Sequence, residues 1–524
     1  MEIMREILLA LDKKRPRKRS ANVENPYLKG NFAHVGAEYD DETLEVVEGT
    51  LPSNLNGTLY RMSPAPKFQP LNPTLYHWFD GDGMIDSFQI ARGKVTHKNR
   101  WVKTAKLALE EKAGRALFGG IRDLALSTPM EGWFAMGFTP GEIVKMQVNL
   151  IRGKQPTPDQ IRRVLSVMDR ANTSIAWMAG RLLTLVEGSG AHDIDPGTLD
   201  TRGPFNFNGL LDPLKGGMVA HPKINPHDGT IYTFGYWGDR GGLTYHVIGP
   251  DGKSRLNRDI ELPYPAMMHD FSVTESRAIF YHLPSVLHME DVTNSNTIRW
   301  EPSKGARIVV VPRDNLNPVR SFDIPTCYIF HALNAYDDGD SVVLDVVRYP
   351  RLPLFEPGGE NPNAPIDEYS PGVLVRLTLN VVTGRLTERV LDDTACEFPV
   401  VDPRYATRRH TVGWVAARKQ PTCGRGFFNS IGYVRYDLGE VKYKTFGPSQ
   451  YTNEPLFIPH NSQAAEGVGY LITTVYNADT DKSDLVLLDA QNPDAAPVAV
   501  VRIPRRVPYG FHGTWVDADV SQLT

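Results

Sequence analysis

Cysteine is scarce in this chain. Three occur in 524 residues, Cys327, Cys396 and Cys423, far apart and odd in number. They support neither a disulfide framework nor a zinc pattern. They are expected as buried or partly buried free thiols in a reducing compartment. Long apolar runs are also missing, so no transmembrane helix of about 20 residues is expected. There is no basic excess: the formal net charge is −4, which gives no reason to expect nucleic acid as a partner. A secretory leader is not expected either. Such a leader puts charge first, whereas here an apolar start (Met1 to Leu11) precedes the basic run Lys13, Lys14, Arg15, Arg17, Lys18 and Arg19. These absences predict a cytoplasmic protein.

What is present divides unevenly. Residues 1–24 read as a basic, amphipathic tail, with Ile3, Ile7, Leu8 and Leu11 at helical spacing. Two readings stay open for it: a helix lying on a membrane surface, or a frayed, solvated tail. Residues 25–524 read as a single domain. A prior of about 150 residues per domain would divide it, but large all-β units run long as one piece. Short β-rich runs recur, such as Gly57–Arg61, Arg181–Val186, Thr230–Phe234, Ser341–Val347 and Gly469–Val475. Between such runs fall turn signals such as Asp80-Gly81, Asp228-Gly229, Asp251-Gly252 and Asp338-Gly339. Helical periodicity is scarce inside the domain, and Ala105–Leu117 is the best candidate for a helix there, with Thr157–Asp169 another. Arg348 to Pro371, dense in proline, is expected as a long loop. No clean repeat shows itself. A propeller with diverged blades and a large β-sandwich assembly both fit this pattern.

Of the 14 histidines, four stand apart by context: His221, His269, His331 and His512. Each follows an apolar residue or run at the edge of an expected strand. They are far apart in sequence, unlike two ligands on one helix. Only a closed, radial fold would bring four such strand ends to one axis, and a propeller does that. Spacing alone remains a weak signal for a metal.

The local motifs resemble the carotenoid cleavage oxygenases from residue 26 to the end. Asn25 to Asn31, Leu51-Pro52 and Asn56 to Arg61 match the family's opening signature, and Tyr76 to Met84 matches its most recognisable motif. Ala220-His221-Pro222, Met268 to Phe271, Phe330 to Asn334 with Asp337 to Asp340, and Phe511 to Thr514 match the segments that carry its iron ligands. One departure is Arg61-Met62-Ser63-Pro64, where the family commonly has Asn-Gly-Pro; it is expected to lie away from the ligand motifs.

The resemblance implies an all-β fold, a seven-bladed β-propeller with a loop and short-helix cap over an axial metal site. It implies Fe(2+) on His221, His269, His331 and His512, with dioxygen as cosubstrate. It implies Glu187, Glu397 and Glu454 as carboxylates that orient three of the histidines, and Thr173 beside the oxygen-binding position. The activity it implies is oxidative cleavage of a conjugated C=C bond of a carotenoid or apocarotenoid to two carbonyl products. The stilbene- and phenylpropene-cleaving branch is the alternative, with an isoeugenol-like alkene as substrate. That branch grips a phenol with a tyrosine and a lysine; the matching positions here are Ile121 and Val186, with Arg122 as a candidate replacement. A retinoid isomerase is a further option within the family. A non-enzymatic interaction scaffold would leave the ligand motifs unexplained. The partner is expected to be a lipophilic or aromatic small alkene, with peripheral membrane contact through the N-terminal segment where that segment lies on a membrane surface.

Overall fold

The structure is a computed structural model, and it describes residues 2–13, 25–122, 127–152, 157–289, 297–313, 317–353, 372–419 and 428–521. The fold is all-β in its bulk and has a β-propeller arrangement of antiparallel sheets. Five sheets have four strands each and a further sheet has ten. In four of the five small sheets the strands are consecutive in the chain, as short hairpin connections require; in the other, a separate two-stranded hairpin of Ser285–Leu287 and Ile298–Trp300 intervenes between Arg277–His282 and Ala306–Pro312.

The sequence runs read as strands all form strands. Gly57–Pro64, Arg181–Leu185, Ile231–Tyr236, Ser341–Tyr349 and Gly469–Asn477 carry them. The proline-dense loop begins later than its composition suggests. Arg348 and Tyr349 still belong to a strand, because Ser341–Tyr349 pairs along its whole length with Val373–Asn380 up to Arg348 and Val373. Residues 354–371 of that stretch lie outside the described residues. Cys327 and Cys396 are buried free thiols, and Cys423 lies outside the described residues.

Both expected internal helices form, slightly shorter than their periodicity. Ala105–Ala113 starts at the Thr104 cap and stops at Gly114, whose left-handed backbone (φ 66°) ends it. Pro158–Met168 starts with a capping box between Thr157 and Gln160. Glu2–Lys13 is helical too and lies against Met130–Ala135 and Pro140–Ile151, with the Arg5 guanidinium over the Phe134 ring. No helix among the described residues is long and apolar enough to cross a membrane.

Buried charge fixes the segment Trp78 to Gly83, which supplies part of the cavity wall. Lys106 Nζ donates to Asp82 and to Glu110, both at 2.7 Å. Asp80 accepts the Ile121 N–H at 2.7 Å and lies 3.4 Å from the Arg170 guanidinium. Asn172 donates to the Phe79 and Gly81 carbonyls at 2.9 and 2.7 Å. Burying these charges is tolerable because each has a partner. The result is a rigid turn that holds Trp78 and Phe79 in place.

Candidate metal centre

Each four-stranded sheet has an edge strand, and the residues singled out from sequence gather at those edges. His221 comes just before Lys223–Ile224, His269 just before Phe271–Val273, and His512 just before Gly513–Asp517. His331 lies inside Tyr328–Asp338, at an irregularity in its pairing between Ile329 and Ala332. Glu397 lies in Cys396–Val400, and Thr173 just before Ser174–Met178. All of these strands stand at an edge of their sheet. One residue from each of several sheets therefore reaches a shared centre.

The four imidazoles converge. Nε2 of His221 and Nε2 of His269 are 3.0 Å apart, and Nε2 of His269 and of His331 are 3.2 Å apart. The His221 and His512 rings are 4.5 Å apart and the His331 and His512 rings 4.8 Å. Ligand atoms of His221, His331 and His512 all fall within 4.8 Å of one another, close enough to share one ion.

The opposite ring nitrogens meet carboxylates. Nδ1 of His269 bonds to Glu187, Nδ1 of His331 to Glu397 at 2.5 Å, and Nδ1 of His512 to Glu454 at 2.8 Å. Burial pushes the Glu187 and Glu397 carboxyls upward, but the imidazoles beside them outweigh it and hold both below the usual range. An ionised carboxylate can only accept, so the proton sits on Nδ1 and Nε2 is turned toward the neighbouring rings. Burial, reinforced by the neighbouring histidines, also pushes His221 well below the usual imidazole range, so it is neutral. His331 is the contrary case: burial lowers it, and Glu397 more than compensates.

Nε2 of His269 stands 3.0 Å from Nε2 of His221 and 3.2 Å from that of His331, while the far nitrogens of His269 and His331 are held by carboxylates. A divalent transition-metal cation is the group that turns such a set of imidazoles into ligands. The donor chemistry fits Fe(2+).

Two further side chains complete the carboxylate shell, and no sequence motif pointed to them. Tyr236 donates its hydroxyl to Glu187 at 2.7 Å, and Tyr349 donates to Glu397 at 3.0 Å. Glu397 also accepts the Phe398 N–H at 2.6 Å, in a backbone turn that puts Phe398 at φ 51°. Such a conformation is uncommon for a bulky residue and is held here by its surroundings. Glu454 takes the Gly513 N–H instead, at 2.9 Å.

Asp270 was missed as well, although it stands inside a matched motif. It accepts the Ala332 N–H at 2.9 Å and the Phe271 N–H at 2.8 Å, and pairs with Lys223 at 2.7 Å. One carboxylate thereby ties together the segments carrying His221, His269 and His331. The departure at Met62-Ser63, expected to lie apart from the ligand segments, does not. Met62 N–H donates to the His512 carbonyl at 2.9 Å, and Phe511 N–H to the Met62 carbonyl at 3.0 Å. These are backbone bonds, so the side chains at 62 and 63 can differ without disturbing His512.

Three of the imidazoles, those of His269, His331 and His512, border a cavity of about 330 Å³. Trp78, Phe79, Phe330, Phe398, Phe428 and Phe511 give it an aromatic wall, and Ile121, Val186 and Thr173 also line it. The Thr173 hydroxyl donates to Asn172 at 3.1 Å, and its carbonyl accepts the His512 N–H at 3.3 Å.

Comparison with known proteins gives one consistent picture. The family model described as retinal pigment epithelial membrane protein matches residues 32–517. The chain is 33% identical to a carotenoid 9,10(9',10')-cleavage dioxygenase of Crocus sativus, over 95% of this chain and 90% of that protein. The crystal structure of Pseudomonas brassicacearum lignostilbene dioxygenase superposes with a TM-score of 0.81 at 28% identity, covering 94% of this chain and 99% of the other. Cobalt-substituted Synechocystis ACO superposes with a TM-score of 0.79 at 29% identity, covering 93% and 97%.

The carboxylate geometry gives a first test. Glu187→Gln, Glu397→Gln and Glu454→Gln should each weaken divalent-metal affinity by roughly 10–100-fold, because glutamine accepts a hydrogen bond without the charge. Tyr349→Phe should have a smaller effect in the same direction. Chelator competition reads the affinity and far-UV circular dichroism checks the fold. Wild-type affinity in all three glutamine variants would remove the orienting role.

Proposed function

Since the chain belongs to the carotenoid cleavage oxygenase family and is a dioxygenase-type enzyme that cleaves alkenes, we propose that it holds one Fe(II) on His221, His269, His331 and His512. We further propose that it cleaves a conjugated C=C bond of a carotenoid or apocarotenoid, with dioxygen, into two carbonyl products. The observation that carries this reading is the convergence of four imidazoles, three of which line an aromatic cavity. We read the ten-stranded sheet as two blades joined edge to edge, between Tyr39–Gly49 and Ala499–Ile503. With the five smaller sheets that makes seven, capped by loops and short helices. Residues 25–524 form the catalytic domain in this reading.

Bound iron would supply the redox chemistry that joins dioxygen to the alkene. The protein's part is positioning. The aromatic wall holds a flat, conjugated chain and excludes water, so the reacting bond stays beside the imidazoles. Glu187, Glu397 and Glu454 keep the three rings in one tautomer and one orientation. Thr173, fixed through Asn172 to the Phe79 and Gly81 carbonyls, shapes the space next to His512. The reaction as read needs no nucleophile and no acid–base pair.

His512→Ala should remove most of the iron and nearly all turnover, as measured by elemental analysis and product formation. Full iron content with full activity would refute the ligand set.

The second reading, cleavage of a stilbene or phenylpropene, is favoured by the likeness to a lignostilbene dioxygenase. Ile121 and Val186, which line the cavity, argue the other way. Neither can donate to a phenol or offset a phenolate, and an unpaired buried hydroxyl costs roughly 1–3 kcal/mol. An apolar polyene gains from the same surface. An apocarotenoid should therefore show a higher kcat/KM than a hydroxystilbene or isoeugenol. Turnover of the phenolic alkenes with failure of every apocarotenoid would establish the second reading.

A lipophilic substrate resides in membranes, and we propose that residues 1–24 act as a basic tail that brings the enzyme there. Met4, on the N-terminal helix, and Val144 and Val148, on a helix it touches, are exposed apolar side chains. Replacing Lys13, Lys14, Arg15, Arg17, Lys18 and Arg19 by glutamine should weaken sedimentation with anionic liposomes, each charge near the surface being worth about 1 kcal/mol at best. Unchanged sedimentation would refute the proposal.

A further inference from the structure

Three oxidisable side chains, Met168, Met267 and Cys396, line the cavity beside the imidazoles. Thioethers and thiols are readily damaged by oxygen chemistry. When the cavity holds no alkene, an oxidising equivalent formed at the centre has these as near targets. A different route for it runs through the rings.

The route starts in the cavity wall. Phe511 precedes His512 in the chain, and its ring is 4.0 Å from that of Trp78. Both rings line the cavity. The Trp78 ring is 5.4 Å from Phe32, Phe32 is 4.9 Å from Tyr509, and Tyr509 is 6.0 Å from Tyr476. Each step is a contact between neighbouring aromatic rings. Electron tunnelling weakens steeply with distance, so several short steps are far faster than one long one. Trp78, Tyr509 and Tyr476 can each give up an electron. Phe32 is harder to oxidise and serves as a bridge.

The outer end distinguishes this series from ordinary core packing. Tyr476 is buried, but its hydroxyl donates to Asp481 Oδ1 at 2.9 Å, and the Asp481 side chain is 66% exposed. A phenol loses an electron readily only when its proton can leave at the same time, because the oxidised phenol is a very strong acid. A carboxylate that already accepts the phenol's hydrogen bond can take that proton without any movement. The series therefore joins the cavity at one end to solvent at the other, and its last member has a base in place.

We propose that Trp78, Tyr509 and Tyr476 form an electron-transfer path that drains oxidising equivalents from the metal centre when no alkene is bound. The proposal rests on the iron and dioxygen reading above. In each event Tyr476 loses one electron and one proton. The electron passes by way of Tyr509 and Trp78 to the oxidised centre, which is reduced by one electron. The proton goes to Asp481, and Tyr476 is left as a neutral tyrosyl radical. A one-electron donor in solution, of the ascorbate class, returns the electron, and Asp481 returns the proton.

The test uses full-length enzyme of measured iron content, exposed to hydrogen peroxide without alkene and frozen for electron paramagnetic resonance. The wild type should give a tyrosyl signal that ascorbate removes, and iron-free protein treated alike should give none. Tyr476→Phe should lose the signal, and so should Tyr509→Phe, which interrupts the path one step earlier. Peptide mass spectrometry should find oxidation of Met267 and Cys396 raised severalfold in Tyr476→Phe and in Asp481→Asn. Neither Tyr476 nor Asp481 lines the cavity, so the initial rate of alkene cleavage should stay as in the wild type in both variants. No tyrosyl signal in the iron-loaded wild type, a signal that persists in Tyr476→Phe, or equal oxidation of Met267 and Cys396 in the wild type and both variants would each overturn the path while leaving the iron site standing. A wild-type protein that takes up no iron would overturn the iron reading and the path together.

Discussion

The structure depends on where three protons sit. Buried carboxylates hold a proton on Nδ1 of His269, His331 and His512, and that turns each Nε2 toward a shared centre. The bonding that fixes the rings in that arrangement is redundant. Asp270 joins three ligand segments. Arg61, wholly buried, donates to the Glu454 carbonyl at 2.9 Å, and Thr473 donates to the same oxygen at 3.2 Å. The tyrosines behind Glu187 and Glu397 add donors that keep the carboxylates ionised.

Edge strands make this possible. A sheet edge carries backbone N–H and C=O groups without ladder partners, which is a liability when it faces solvent. Here several edges turn toward the site, and their spare groups bond to the site's own residues. Ala332 N–H goes to Asp270, Phe398 N–H to Glu397, Gly513 N–H to Glu454 and His512 N–H to the Thr173 carbonyl. The edge strands beside His221 and His269 are correspondingly short, Lys223–Ile224 and Phe271–Val273. Backbone capacity that would be wasted or hazardous elsewhere becomes the means of aiming the ligands.

Much of this was legible from sequence, for uneven reasons. Strands were legible because alternating apolar runs bounded by Asp-Gly turns are a local signal. Helix limits were legible at Thr104 and Thr157 because caps are local too. The histidines stood out only by their short contexts, and family resemblance was needed to group them. Tyr236 and Tyr349 gave no signal, since a tyrosine near the end of a strand is ordinary until the opposing glutamate is known. Asp270 sat in a matched motif, but its task spans three sheets and cannot be inferred from neighbours in sequence. The link between Met62 and His512 was missed for the same reason: it is a backbone bond across strands 450 residues apart in the chain by their numbers (62 and 512), and side-chain identity carries no trace of it.

The charge around the cavity is held by partners. Glu187 and Glu397 stand behind the imidazole rings, and the Asp82–Lys106–Glu110 cluster stands behind the turn that carries Trp78 and Phe79. The cavity surface is therefore largely ring faces and edges, and the carboxylates that reach it, Glu187 and Glu397, are already bonded to the rings they orient. An aromatic wall binds by shape and area and discriminates weakly among chains of similar thickness. Discrimination must then come from the few polar atoms that do reach the cavity surface. Because buried polar groups penalise a ligand that cannot pair them more than apolar groups penalise a ligand slightly too large, a few polar atoms at the cavity surface can outweigh the whole aromatic wall in choosing among ligands that all fit.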